Sequence, residues 1–163
     1  MTMTTLERCL EFLDRSHISY VHTKHARAFT ATELAFAEHL SPHKVAKTVV
    51  YASAQGYGLA VLPADYLINM ETLGAFLNDP EIRLASEAEM AQLFPECEVG
   101  AMPPFGNLFN LPVIVDTSIA EQEFIVFNAG THYDVIHMSY GDFRRVVNPA
   151  VGKFTMAGVP QPV

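Results

Sequence analysis

Lys47-Thr48-Val49-Val50-Tyr51-Ala52, followed across a Gln55-Gly56 turn by Tyr57-Gly58-Leu59-Ala60-Val61-Leu62, are the residues whose reading decides the fold. The first run is rich in β-branched and aromatic side chains, which suit a pleated surface. Joined by turn residues, the two runs predict a hairpin of antiparallel strands. Upstream, Leu6, Cys9, Leu10 and Leu13 recur at helical spacing and predict a helix over 5–15 that packs one face. Residues 19–23 read as a short strand. Thr30-Ala31-Thr32-Glu33 fits a capping box and predicts a helix to about residue 40, and Ser41-Pro42 can open another turn. Downstream, Asn69 can cap a helix carrying Leu73, Phe76 and Leu77, and residues 81–84 read as a brief strand. Ser86-Glu87-Ala88-Glu89 is a second capping box, for a helix that ends near Phe94-Pro95. Strands over 113–116, 123–128 and 135–138 follow, then a last short helix started by Ser139 and Asp142 and running to Val146. These elements interleave without a regular βαβ rhythm. The expectation is a mixed α/β (α+β) fold, with a central mixed sheet curling toward a barrel and helices packed around it.

The chain has 163 residues, half of them hydrophobic and 17% charged, which excludes intrinsic disorder, collagen and coiled coil. A chain of this size buries roughly 70% of the surface its unfolded form exposes, so it needs no metal or disulfide to fold. No repeat, low-complexity tract or linker interrupts it, and one domain over 1–163 is expected. Ten Lys and Arg against eighteen Asp and Glu give a formal net charge of −8. Such a chain is a poor generic nucleic-acid binder, so DNA is not an expected partner and any RNA must meet a local basic patch. Cys9 and Cys97 form neither a CxxC motif nor a disulfide framework, and free thiols fit a reducing compartment. No apolar run approaches the roughly 18 residues of a membrane span. The first 14 residues carry Glu7, Glu11 and Asp14 and no basic leader, so a soluble, cytoplasmic location is the expectation.

Four features are candidates for chemistry. Strand alternation puts Lys47 on one face with Val49 and Tyr51. A lysine there either snorkels to water from the end of the sheet or serves a site. Residues 95–112 hold Pro95, Pro103, Pro104, Pro112, Gly100 and Gly106. This stiff, irregular stretch is either a rigid connector or a binding loop whose glycines let a ligand approach the backbone. Asn128-Ala129-Gly130-Thr131-His132 is either an ordinary hairpin loop or a row of N–H groups facing an anion or carbonyl. Finally, Arg15, Lys24, Arg27, Lys44 and Lys47 are opposed between Arg15 and Thr48 only by Glu33 and Glu38. That asymmetry is either a solvated basic face or the place where phosphate is met. Metal chemistry scores poorly. The pairs His22/His25 and His39/His43 lack a third ligand at a familiar spacing, and Pro42 interrupts the second. No cofactor-binding glycine motif is present, and neither a metal nor a cofactor is expected.

Taken in order, Lys47 opening a hydrophobic strand, Gly100-x-x-x-Pro104 and the Phe127-Asn128-Ala129-Gly130 loop resemble the YbaK/prolyl-tRNA synthetase-associated editing domain family over roughly residues 22–147. The resemblance implies an α/β fold with a central mixed sheet. It also implies trans-acting hydrolysis, without a metal, of the ester joining a wrong small amino acid, for example Cys or Ala on tRNA-Pro, to the tRNA 3′ end. Lys47 matches the family lysine and is the expected catalytic residue. Gly100, Ala101 and Pro104 match the glycine loop, and Phe29 with its neighbour Thr30 matches the pocket mouth. Asn128, Gly130 and His132 complete the expected substrate-binding set, in which His132 or the substrate's own 2′-OH stands as the base. The implied partners are the mischarged tRNA 3′ end and an aminoacyl-tRNA synthetase. The alternative is a non-catalytic module that binds a tRNA end, a nucleotide or a protein. Some relatives follow a Ser-Gly-Gly loop with Lys-Arg-Gly, where this chain has Thr131-His132-Tyr133. An acidic residue of those relatives falls on Val135, and the adjacent Asp134 belongs to the opposite strand face, so that acid is not carried over.

Overall fold

The structure, a computed structural model, describes residues 2–24 and 40–157. The first helix, α1 (Thr5–Arg15), starts where Thr4 accepts a hydrogen bond from the Glu7 N–H and buries Cys9 and Leu13. After β1 (Tyr20–Lys24), the described chain resumes at Leu40. The helix expected from Thr30 to about residue 40 therefore lies outside the described residues, as do Phe29 and Thr30 themselves. Ser41 caps a single 3-10 turn, Pro42–Lys44, with proline at its first position.

The expected hairpin forms as β2 (Ala46–Ser53) and β3 (Gly56–Pro63), paired antiparallel from Ala46↔Pro63 to Ser53↔Gly56. Next come β4 (Tyr66–Ile68), α2 (Met70–Phe76) capped by Asn69, β5 (Arg83–Leu84), and α3 (Glu87–Leu93). In the capping box of α3, Ser86 and Glu89 each bond the other's backbone N–H. The second half runs β6 (Val113–Asp116), α4 (Thr117–Ala120), β7 (Phe124–Asn128), β8 (Asp134–Ser139), α5 (Tyr140–Val147), β9 (Ala150–Gly152) and β10 (Thr155–Ala157).

Among the described residues the strands form a five-stranded mixed sheet, β5-β2-β3-β6-β9, a three-stranded antiparallel sheet, β1-β8-β7, and a two-stranded pair, β10-β4. The fold is the expected mixed α/β type, and among the described residues the sheet does not close into a barrel. Among the described residues one isolated parallel bridge, Val45↔Val126, joins the two larger sheets. The large sheet is buried on both faces, which is why β3 and β6 read as continuous apolar runs. Ala46, Val50, Leu59 and Val61 pack with Phe105, Phe127 and Ile136 on one side, and Tyr51, Ala60, Leu62 and Ile114 pack with Leu73 and Phe154 on the other. No described helix is long and apolar enough to cross a membrane.

Candidate active site

The site is a consequence of strand divergence. Val45 and Val126 touch at the parallel bridge, and beyond it β2 and β7 are no longer paired. The outer edge of β2 is covered again only from Val50 onward, where the Val50 carbonyl accepts from the Ala85 N–H at 2.9 Å and Tyr51 and Ala52 pair with β5. Backbone groups alternate along a strand, so those of Thr48 face the same edge as the Val50 carbonyl. No described strand meets them there. Into this wedge opens a cavity of ≈ 140 Å³ lined by Ala46, Lys47, Thr48 and Val49 of β2, Asn128 of β7, and Gly100 and Met102 of the proline-rich loop. Since liquid water occupies about 30 Å³ per molecule, the space takes a small side chain and a water.

Lys47 is half-buried, and its Nζ donates one long hydrogen bond, 3.4 Å, to the Ala64 carbonyl. Burial lowers its pKa from the ordinary lysine value, with the Asp65 carboxylate opposing the shift. Counted from the bridge, Lys47 stands level with Asn128 and on the same face, which carries the small cluster of Val45, Ala64, Val126 and Val135. The carbonyl oxygen Oδ1 of Asn128 and the hydroxyl Oγ1 of Thr48 are buried and have no hydrogen-bond partner among the described residues. Each such orphan costs roughly 1–3 kcal/mol.

The glycine loop is held rather than loose. Residues 101–106 are buried, and Phe105 stands among Phe12, Phe127 and Phe143. Gly130 N–H donates to the Ala101 carbonyl at 2.8 Å, and Glu98 N–H donates to the Gly130 carbonyl at 2.9 Å. His132 binds across the same seam: its N–H donates to Glu98 Oε1 at 2.7 Å, and its Nε2 lies 2.9 Å from the Val99 carbonyl. The structure thus brings Lys47, Gly100 and Asn128 to one cavity. Ala101, Pro104, Gly130 and His132 do not line it; Ala101, Gly130 and His132 fasten the two loops together, and Pro104 is buried in the same run. His132 is spent on that fastening, with Nε2 committed as a donor to Val99, so the geometry gives it no free position for a base on that nitrogen. Thr48 and Met102 line the cavity without having been singled out in the sequence. For Thr48 the readable signal was a polar residue on the strand face it shares with Ala46, Val50 and Ala52.

Asp134 is buried on the face opposite Val135, as alternation requires. Its carboxylate accepts from Thr131 Oγ1 at 2.6 Å and lies 2.7 Å from His22 Nε2, so it secures the turn that carries Asn128 and stays out of the cavity. Among the described residues no cluster of three metal-ligating side chains occurs. A larger, more open hollow of ≈ 750 Å³ lies at the far end of the β2–β3 hairpin, by Gln55, Asn78 and Pro112. Its carboxylate Asp79 is already occupied by the N–H groups of Ala54 and Glu81, and no lysine or arginine lines it, so the smaller cavity is the better candidate.

Gly100 and Gly130 both adopt positive φ, +88° and +95°. Among the described residues a Cβ on Gly100 would meet the His132 ring at ordinary contact distance, Cε1 at 3.6 Å and Nε2 at 3.9 Å, whereas one on Gly130 would press on Thr5 Cβ at 2.9 Å and Leu6 N at 3.0 Å. Urea melts are therefore expected to show Gly100→Ala destabilised by about 1–2 kcal/mol through backbone strain alone, with Gly130→Ala losing distinctly more. Equal losses would contradict this account.

The chain is 27% identical over 142 residues to a proline–tRNA ligase of Pseudothermotoga lettingae, covering 81% of this chain and 24% of the ligase. It is 31% identical over 97 residues to the multifunctional Ser/Thr-tRNA deacylase ProXp-y of Escherichia coli K12, covering 59% of this chain and 58% of the deacylase. The chain therefore spans about a quarter of the one relative and little more than half of the other. A crystal structure of a candidate trans-editing enzyme for prolyl tRNA synthetase superposes with a TM-score of 0.81 at 18% identity, over 96% of this chain and 100% of that one, which shows a shared fold. The model of the aminoacyl-tRNA editing domain matches residues 25–146, and the chain belongs to that family.

Proposed function

We propose that this protein hydrolyses the ester between a small, wrongly attached amino acid and the 3′ end of a tRNA, acting in trans and in the cytoplasm. The observation that carries the reading is the placement of Lys47, Gly100 and Asn128 on one cavity of side-chain size. An aminoacyl ester is already activated, so the protein needs no covalent nucleophile. It needs to hold the tRNA terminus, place a water and stabilise charge on the carbonyl oxygen. Lys47 binds the terminal phosphate or ribose end, the backbone around Gly100 meets the carbonyl and terminal adenosine, and Asn128 orients the amino group or the water. With His132 fastened to the loop wall, the substrate's 2′-OH is the favoured route for the proton. Val49 and Met102 limit the side chain by overlap. Membership of the editing family and similarity to a named Ser/Thr-tRNA deacylase support the reading. A synthetase that supplies the mischarged tRNA is the proposed second partner.

The test is a panel of tRNAs, each carrying one wrong small amino acid, incubated with the purified chain. Release of amino acid from at least one member, above the rate without protein, is expected. A chain that binds tRNA but leaves every ester intact would establish a non-catalytic module instead.

A further inference from the structure

Residues 98–101 form a β-turn closed by the Ala101 N–H, which donates to the Glu98 carbonyl at 3.0 Å. Gly100 takes the third place at φ +88°, as a type II turn requires. Of these four residues only Gly100 lines the cavity. The peptide between Val99 and Gly100 is trans, so its C=O and N–H point in opposite directions. Its carbonyl is turned to His132, whose Nε2 lies 2.9 Å away and which does not line the cavity. The Gly100 N–H therefore points away from His132, and it has no acceptor among the described residues. Glu98 holds this peptide plane. Its N–H donates to the Gly130 carbonyl at 2.9 Å, its carbonyl closes the turn, and its carboxylate Oε1 accepts the His132 N–H at 2.7 Å. One residue thus ties down both the turn that carries the Gly100 N–H and the imidazole that orients it.

Resting on the deacylase reading, we infer that Glu98 is a positioning residue, which aims the Gly100 N–H at the carbonyl oxygen of the bound ester by holding His132 against Val99. In the reaction, water adds to the carbonyl carbon and the C=O electron pair moves onto oxygen. On collapse that pair returns, and the ribose oxygen leaves with a proton from the added water. A donor aimed in advance at the charged oxygen lowers the barrier, and its bond strengthens as the charge develops. Its loss is therefore read in kcat more than in KM. Glu98 itself does not line the cavity and acts through the turn.

The experiment compares wild type with Glu98→Met, which keeps the length and loses the acceptor, and with Glu98→Gln, which loses the charge and keeps an acceptor. The substrate is whichever ester of the panel the chain hydrolyses fastest. Glu98→Met is expected to lower kcat about tenfold or more with KM within about threefold. Glu98→Gln should recover kcat to within about threefold of wild type. A smaller loss in Glu98→Met overturns the inference, as does a loss carried mainly in KM or a Glu98→Gln variant that falls as far as Glu98→Met. A second arm uses wild type alone and stands whether or not a variant folds. In nitrogen–proton correlation NMR, the Gly100 amide proton should move downfield when 3′-aminoacylamino-3′-deoxyadenosine, carrying the same amino acid, is titrated in. A stationary Gly100 resonance overturns the inference. Hydrolysis indifferent to Glu98 defeats this inference and leaves the deacylase reading standing, whereas a chain inert toward every ester of the panel defeats both.

Discussion

Lys47→Ala is expected to lower kcat/KM for a mischarged ester by roughly 10²–10³-fold. The magnitude follows from charge. An ammonium 4 Å from a phosphate is worth about 4 kcal/mol at an effective dielectric near 20, a ceiling of roughly 10³ in rate before desolvation is subtracted. The amine is suited to this use because its hydrogen bond to the Ala64 carbonyl is long, 3.4 Å, and Asp65 merely biases it from nearby. Folding should survive the change, since the variant removes a half-buried charge from a strand that keeps its pairing with β3. A variant that melts like wild type yet retains more than half of its kcat/KM would show that the ester is positioned without the amine.

The same residue sets a pH limb, and its direction follows from burial. The charged form is disfavoured in the folded protein, so the pKa lies below the ordinary lysine value of 10.5. Rate that depends on the ammonium is present at low pH and lost as pH rises through that lowered value. After subtraction of uncatalysed ester hydrolysis, kcat/KM should fall on the alkaline side earlier than for a free lysine. The limb in kcat should lie higher, because a bound phosphate favours the charged amine. Lys47→Arg, which cannot deprotonate in this range, should lose the limb while keeping partial activity.

Much of this site was legible because its parts sit in elements with strong local signals. Lys47 opens the most β-like run in the chain, and the Ser86 and Asn69 caps and the α1 stripe place the surrounding helices to within a residue or two. Gly100 and Gly130 were legible as glycines, and their positive φ supplies the reason. The wedge itself was not legible. It depends on a single bridge between Val45 and Val126, residues 81 positions apart and each ordinary for its own strand. The choice between binding role and fastening role in the 128–134 turn was hidden for the same reason. Whether His132 faces the substrate or Val99 depends on where a distant loop arrives. Elements of three or four residues, such as β4, α4, β9 and β10, show no period to read and form because longer neighbours hold them.

Phe105→Ala should be the most destabilising single change outside the cavity, and it tests whether the site wall is part of the core. Phe105 is fully buried, with ring centroids 5.6 Å from Phe12 on α1, 5.3 Å from Phe127 on β7 and 5.9 Å from Phe143 on α5. Truncating it removes the transfer energy of the ring and leaves a void shared by three elements, a loss of about 3–5 kcal/mol. For a chain of this length that lowers Tm by roughly 6–20 °C. The residue also lies in the buried run 101–106 that hangs the Gly100 loop from the core, and it packs on Phe127, the neighbour of Asn128 on β7. At a temperature where the variant is still folded, kcat should therefore fall as well, because both walls of the cavity lose their common support. Phe105→Leu, which refills most of the volume, should recover the larger part of the stability. A Phe105→Ala variant destabilised as expected but fully active below its melting range would mean that the cavity is held by the Gly130–Ala101 and His132–Glu98 bonds alone, independent of the aromatic core beneath it.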